Sequence, residues 1–208
     1  MEDWPTPVVM AIAGGLGGII LGLAARLGRF CTLSAIEDAL FSNDLRRLRM
    51  WALALAVAIA GVGCLAALGL IDFSPSLYQK LALNPVAWII GGLMFGAGMA
   101  LCGTCGYGTL ARMGGGDLRA LFGFLVLGVS AYMAIAGPTA HLRVFAIDPF
   151  ALGDAVPYRT LSDLGKAQTA LQLLLSLAIA GSLAFWSLSN GVFRRSFRHV
   201  FWGAMVGV

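Results

Sequence analysis

The sequence predicts an all-α polytopic membrane protein, a helical bundle in which short re-entrant half-helices sit between longer spans. Three observations carry that expectation. Of the 208 residues, 59% are hydrophobic and only 12% charged, against roughly 25% charged in a soluble domain whose surface must face water. The apolar residues are gathered into long charge-free runs, and a bilayer-spanning helix needs about 20 such residues. Two of the runs lead into a cysteine set among small residues, followed by a segment too short and too polar to span.

The elements follow in chain order. The opening "MEDWPTP" lacks the basic region of a secretory signal, so the first run, Val8 to Ala25, is expected to stay as a membrane helix. "CTLSAIEDALF", from Cys31 to Phe41, has too few apolar positions to cross and fits a half-helix. Met50 to Ile71 is the next span. Leu81 to Ala111 is too long for one span and splits into a helix from about Pro85 to Leu101 and a glycine-rich remainder, "CGYGTLARMGGG". Ala120 to Leu142 and Ala167 to Phe193 complete five crossings. We expect a single membrane domain over 1–208, with repeat unit one at about 8–71 and repeat unit two at about 85–142. An outside loop over 141–166, a linking helix over 167–193 and the start of a further helix over 200–208 follow.

Charge sets the orientation. With the N-terminus outside, ten of the fourteen Lys and Arg residues fall inside, and only Lys80, Arg143, Arg159 and Lys166 fall outside. Membrane proteins concentrate such residues on the cytoplasmic face. The net charge of +4 is dispersed in these clusters and gives no sign of nucleic acid. Trp4, Trp51, Trp88 and Trp202 lie near span ends, where aromatic anchoring explains them.

"GGLGGIILGLAARLGRFCTLSAIEDALF" (Gly14 to Phe41) and "GGLMFGAGMALCGTCGYGTLARMGGGDLRALF" (Gly91 to Phe122) share a plan. Each begins with a double glycine, continues as an apolar helix, reaches a cysteine, and passes Asp38 or Asp117. Arg49 or Arg119 then precedes the next long run. Gly14, Gly18 and Gly22 match Gly92, Gly96 and Ala100 in small-xxx-small spacing, which on its own reads as close helix packing in lipid. Non-helical backbone at membrane depth survives only where protein or a cavity surrounds it. Paired interruptions therefore point to a transport site built from broken helices. The last run, "FWGAMVGV", carries Gly203 and Gly207 at the same spacing. Entering from the cytoplasm, it is expected to begin an inverted copy, making this chain the N-terminal part of an inverted-repeat transporter.

The chemistry of the interruptions suits a small sulfur-containing anion better than a metal or a large organic substrate. A protonated thiol is polarizable and hydrogen-bonds weakly, so it meets soft sulfur without the desolvation cost of a fixed charge. Half-helix N-termini attract oxyanions, and glycines let backbone N–H groups reach a ligand. The candidate contacts are Cys31, Cys105, Gly103, Gly106, Gly108 and Thr109, with Arg29 and Arg112 as sources of anion attraction. No catalytic residue, metal site or cofactor is expected.

From Gly14 to at least Gly123 the sequence resembles the YeeE/YedE-type sulfur transport family. The resemblance rests most on the glycine-rich helix leading into G-x-C-G-x-G-T-L-x-R and then G-x-x-R-A-L. It implies an hourglass-shaped inverted-repeat bundle and a permease, not an enzyme, with thiosulfate uptake as the foremost activity. Cysteines at the constriction match Cys31 and Cys105, and a further family cysteine belongs to a C-terminal half outside this sequence. Cys102 stands outside the family pattern. The implied partners are the lipid bilayer, the sulfur anion and a small cytoplasmic sulfur-handling protein, in a bacterial-type inner (plasma) membrane.

Other readings compete for the same residues. Cys102-Gly-Thr-Cys105 has redox spacing, so a membrane thiol–disulfide conduit using Cys102 and Cys105 is the alternative, although the βαβ context of soluble examples is missing. The permease reading has Cys102 packing at the end of its helix. Zinc would want four soft or imidazole ligands, and His141 and His199 fall near opposite faces. Glu37 and Asp38 are read as interfacial, paired with Arg46 or Arg49, and Cys64 as packing.

Overall fold

The computed structural model describes residues 6–69, 84–150 and 166–208. All regular structure among them is helical: α1 (Thr6–Leu27), α2 (Thr32–Phe41), α3 (Arg46–Ala67), α4 (Pro85–Cys102), α5 (Gly106–Gly114), α6 (Leu118–Ala136), α7 (Pro138–Ala146), α8 (Lys166–Leu188), α9 (Gly191–Arg195) and α10 (Phe197–Gly207), with a 3₁₀ turn at Asp148–Phe150. The 22 residues of α1 and of α3 rise ~33 Å at 1.5 Å each, which matches a hydrocarbon core of about 30 Å. Pro7–Phe41, Arg46–Ala67, Pro85–Gly114 and Leu118–Ala136 are long and apolar enough to cross a bilayer. The chain is an all-α polytopic membrane protein.

Several boundaries differ from the sequence expectation. The run from Ala120 to Leu142 is not one helix. Gly137 is extended, and a Cβ there would stand 2.6 Å from Met133 Cα; Pro138 then opens α7 at its first turn. Helix α7 and the 3₁₀ turn occupy the start of the expected loop, whose residues 151–165 lie outside the described residues. Helix α8 stops at Leu188 rather than Phe193, because the Asn190 side chain accepts from the N–H groups of Val192 and Phe193 and starts α9. Helix α10 begins at Phe197, earlier than expected.

The described chain divides into two compact units. Unit one comprises Met1–Ala58 and Ile179–Val208. Its core is built largely from small residues (Ala24, Ala35, Ala52, Ala54, Ala56), with Met50 and Phe193 fully buried. Helix α10 lies on the first half of α3: a Cβ on Gly203 would come within 3.0 Å of Met50 O, and one on Gly207 within 2.5 Å of Ala54 O. The Gly203/Gly207 spacing is thus a backbone-to-backbone contact of the kind small residues permit in lipid. Arg49 closes the unit. Its guanidinium donates to Trp186 O (2.5 Å), Ser187 O (3.3 Å) and Ser189 Oγ (3.2 Å), and lies 4.8 Å over the Trp186 ring. Ser187 Oγ donates back to Arg49 O at 2.7 Å. A cation there satisfies carbonyls that the helix end leaves open and complements its dipole. Asp38 accordingly pairs with Arg47 at 3.1 Å, not with Arg46 or Arg49.

Unit two comprises Ile59–Ala178. Buried Asn84 organises one end of it: Oδ1 accepts from Ala87 N–H at 3.0 Å to cap α4, and Nδ2 donates to Ile147 O at 2.8 Å beyond α7. Helices α5 and α6 pack antiparallel, with Gly106 facing Leu127 and Thr109 facing Gly123.

Candidate functional site

Each expected interruption is a helix break followed by a short helix with a cysteine at its N-cap. In unit one, α1 ends at Leu27 and Phe30 N–H bonds back to Ala24 O at 3.3 Å. Gly28 allows the chain past Trp202, since a Cβ would lie 2.9 Å from that side chain. Arg29 then takes a left-handed conformation (φ 52°). Phe30 is buried against Trp51, ring centroids 4.4 Å apart. Half-buried Cys31 is extended, and its carbonyl accepts the first bond of the ten-residue α2 from Ala35 N–H.

Unit two repeats the pattern. Helix α4 ends on Gly103 (φ 63°, ψ 19°), and Cys105 returns to extended geometry (φ −86°, ψ 164°) before the nine-residue α5. Cys105 is only 3% exposed. Its Sγ accepts from Gly108 N–H at 3.3 Å, so the sulfur itself caps the short helix. The Cys105 carbonyl accepts from Thr109 N–H (2.9 Å), Thr109 Oγ1 (3.1 Å) and Thr104 Oγ1 (3.3 Å). These bonds fix the turn, because Thr109 is buried and has its hydroxyl satisfied there. Gly106 has room for a methyl group, with Leu127 Cδ1 at 3.7 Å.

The half-helices end alike too. Asn43 (φ 52°) precedes Asp44-Leu45-Arg46, and Gly116 (φ 92°) precedes Asp117-Leu118-Arg119. Asp44 Oδ1 accepts from Arg46 N–H and Asp117 Oδ1 from Arg119 N–H, both at 3.0 Å, starting the next long helix in each case. Sequence matching that paired Asp38 with Asp117 missed this. The recurring Asp-Leu-Arg tripeptide was the available signal. Arg46 also binds Asp44 through its side chain at 2.6 Å and holds the Asp44 carboxyl below the usual aspartate range.

Of the predicted contacts, Cys105, Gly103, Gly106, Gly108 and Thr109 form one turn in unit two, and Arg112 stands at the far end of α5. Cys31 and Arg29 form the corresponding turn in unit one. Cys102 does not sit in a packed helix contact. It is exposed at the end of α4, on the wall of a cleft of about 650 Å³.

Lipid-length helices that break at a cysteine and resume as half-helices define a membrane protein of the broken-helix kind. The chain belongs to the Sulphur transport family, whose model matches residues 27–205. It is 34% identical over 128 residues to a thiosulfate transporter, TsuA, of Spirochaeta thermophila, a match covering 62% of this chain and 37% of the relative. It is 32% identical over 121 residues to the Escherichia coli thiosulfate transporter TsuA, covering 57% and 33%. The chain therefore matches about a third of the length of these relatives, which are named as transporters, not enzymes.

Proposed function

We propose that the chain forms part of a permease that takes up a small sulfur-containing anion, foremost thiosulfate, across a bacterial-type inner membrane, with its N-terminus outside. The observation that carries this reading is the twofold coincidence of one thiol with one helix break: Cys31 heads α2 and Cys105 heads α5. Family membership and the names of the relatives support the substrate class. The arginine distribution supports the orientation.

Thiosulfate has three hard oxygens and one soft sulfur. A helix N-terminus offers N–H groups and the positive end of a dipole to the charged oxygens. A thiol offers the sulfur a polarizable neighbour with no fixed charge. Cys31 and Cys105 combine both at one residue, which favours passage over tight retention. Arg29 and Arg112 draw the anion toward the breaks. The matching breaks and Asp-Leu-Arg caps support two repeat units within one membrane domain, and a small cytoplasmic sulfur-handling protein would receive the product.

The test is uptake of radiolabelled thiosulfate by the full-length protein at matched membrane expression. Losing a thiol contact in a dry passage costs about 1–3 kcal/mol. Cys31→Ala and Cys105→Ala should therefore each slow uptake roughly 5- to 150-fold, while Cys64→Ala leaves it unchanged. Uptake that survives both replacements, or a Cys102–Cys105 disulfide trapped during turnover, would defeat this reading; the disulfide would favour the redox conduit.

A further inference from the structure

The cleft in unit two reaches beyond the Cys105 turn: Gly106 and Thr109 of that turn line it, while Cys105 does not. Its two ends differ chemically. Antiparallel packing of α5 on α6 puts Arg112, Asp117 and Arg119 at one end. Cys102 and Thr104, joined to the start of α5, lie about one length of that helix away, ~13 Å for its nine residues. Met94 and Met99 of α4 add further sulfur to the wall. Hydroxyl and thiol groups thus continue along its length, ending in Ser130 of α6. An anionic lipid would call for one charged end and a purely apolar remainder.

The repeated caps show what is distinctive here. In unit one Arg46 folds onto Asp44 with contacts of 2.6–3.0 Å, and its charge is spent locally. In unit two Arg119 uses only its backbone N–H on Asp117. Arg119 lines the cleft, and its side chain has no ion pair among the described residues. Arg112 reaches Asp117 only at 3.9 Å, with a side chain 61% exposed. One motif is closed on itself, and its copy is open.

We propose that this cleft extends the path of the anion class assigned above: a groove that takes a hydrated sulfur oxyanion from the sulfur-lined end at Cys102 and holds it between Arg112 and Arg119 at its cytoplasmic end. The proposal rests on the permease reading for its ligand. A volume of about 650 Å³ leaves room for water around a small anion, at about 30 Å³ per water. Asp117 opposes the ligand by charge while serving α6 as its cap.

The experiment alkylates the full-length protein in membrane vesicles with N-ethylmaleimide and reads Cys102 and Cys64 modification by peptide mass spectrometry. Cys64, exposed on α3, corrects for reagent consumed by thiosulfate. Thiosulfate at twice its dissociation constant should slow Cys102 modification about threefold relative to Cys64, and sulfate should protect less. Arg119→Gln should shift protection to higher thiosulfate concentration. Asp117→Asn, which keeps a capping oxygen, should shift it lower. Unchanged Cys102 reactivity, equal protection by sulfate, or protection that follows the phosphatidylglycerol content of the vesicles regardless of thiosulfate would each overturn the proposal. Absent protection alongside intact wild-type uptake would sink the cleft alone; absent wild-type uptake would sink the permease reading.

Discussion

Gly103 tests the backbone conformation of the Cys105 turn through stability. It is left-handed, and a Cβ built there meets nothing within 4 Å, so alanine fits sterically and its cost is conformational. A left-handed alanine costs about 1–2 kcal/mol. Replacing glycine recovers about 0.4–1 kcal/mol by restricting the unfolded chain, leaving a net loss of about 1 kcal/mol. For a chain of this size that lowers the melting midpoint by about 2–4 °C. Asparagine tolerates the same region, so Gly103→Asn should lose less. Arg29 supplies the mirror experiment. It occupies the matching position at φ 52° as a non-glycine residue, so Arg29→Gly should raise the midpoint. The assay is thermal melting in detergent, read from the surviving monodisperse peak, with uptake measured beside it. Equal losses for Gly103→Ala and Gly103→Asn, or destabilisation by Arg29→Gly, would refute the matched-turn argument.

Gly207→Val should destabilise by about 1–3 kcal/mol through overpacking, since the obstructing atom is the backbone oxygen of Ala54; Gly18→Val, with nothing within 4 Å, should melt like the wild type. The Asp44 carboxyl is held below its usual range, chiefly by the Arg46 hydrogen bond, so its stabilisation is present at neutral pH and lost as pH falls through that depressed value. Asp44→Asn should accordingly flatten the acid limb of a melting-against-pH curve, and an unchanged limb would count against the pair. A cysteine introduced at Asn43 should be labelled by an impermeant reagent only after permeabilisation; labelling in intact cells would reverse the proposed orientation.

The long helices were legible because lipid imposes a length and keeps charge to the ends: α4 carries none, α1 has only Arg26 in its last turn, and α3 has Arg46, Arg47 and Arg49 in its first. The half-helices were legible as polar gaps too short to cross, each marked by a cysteine. Less visible were interruptions that cost little sequence. Gly137-Pro138 breaks an apolar run without altering its hydropathy, and Asn190 ends α8 through one side-chain oxygen. The partners of Asp38 and Arg49 were misread because proximity in sequence suggested a pair, whereas Arg49 reaches 137 residues along the chain to Trp186. Small-xxx-small spacing was ambiguous by nature. Gly203 and Gly207 meet a helix in unit one, while a Cβ built on Gly14, Gly18, Gly92 or Gly96 would meet no atom of another element within 4 Å among the described residues.

The reach of Arg49 has a consequence for biogenesis. Helices leave the ribosome in chain order, so α3 is made long before the end of α8 exists. Until then the Arg49 guanidinium depends on interfacial water and headgroups, which are accessible because it sits in the first turn of α3. The end of α8 arrives afterwards, its Trp186 carbonyl already accepting from Ser189 Oγ at 2.8 Å. Their meeting gives the guanidinium carbonyl partners at Trp186 and Ser187, and Ser187 Oγ answers with a bond to Arg49 O. The Arg49 latch of unit one can therefore form only late in synthesis, and a ribosome stalled before Trp186 would leave a nascent chain whose first helices lack it.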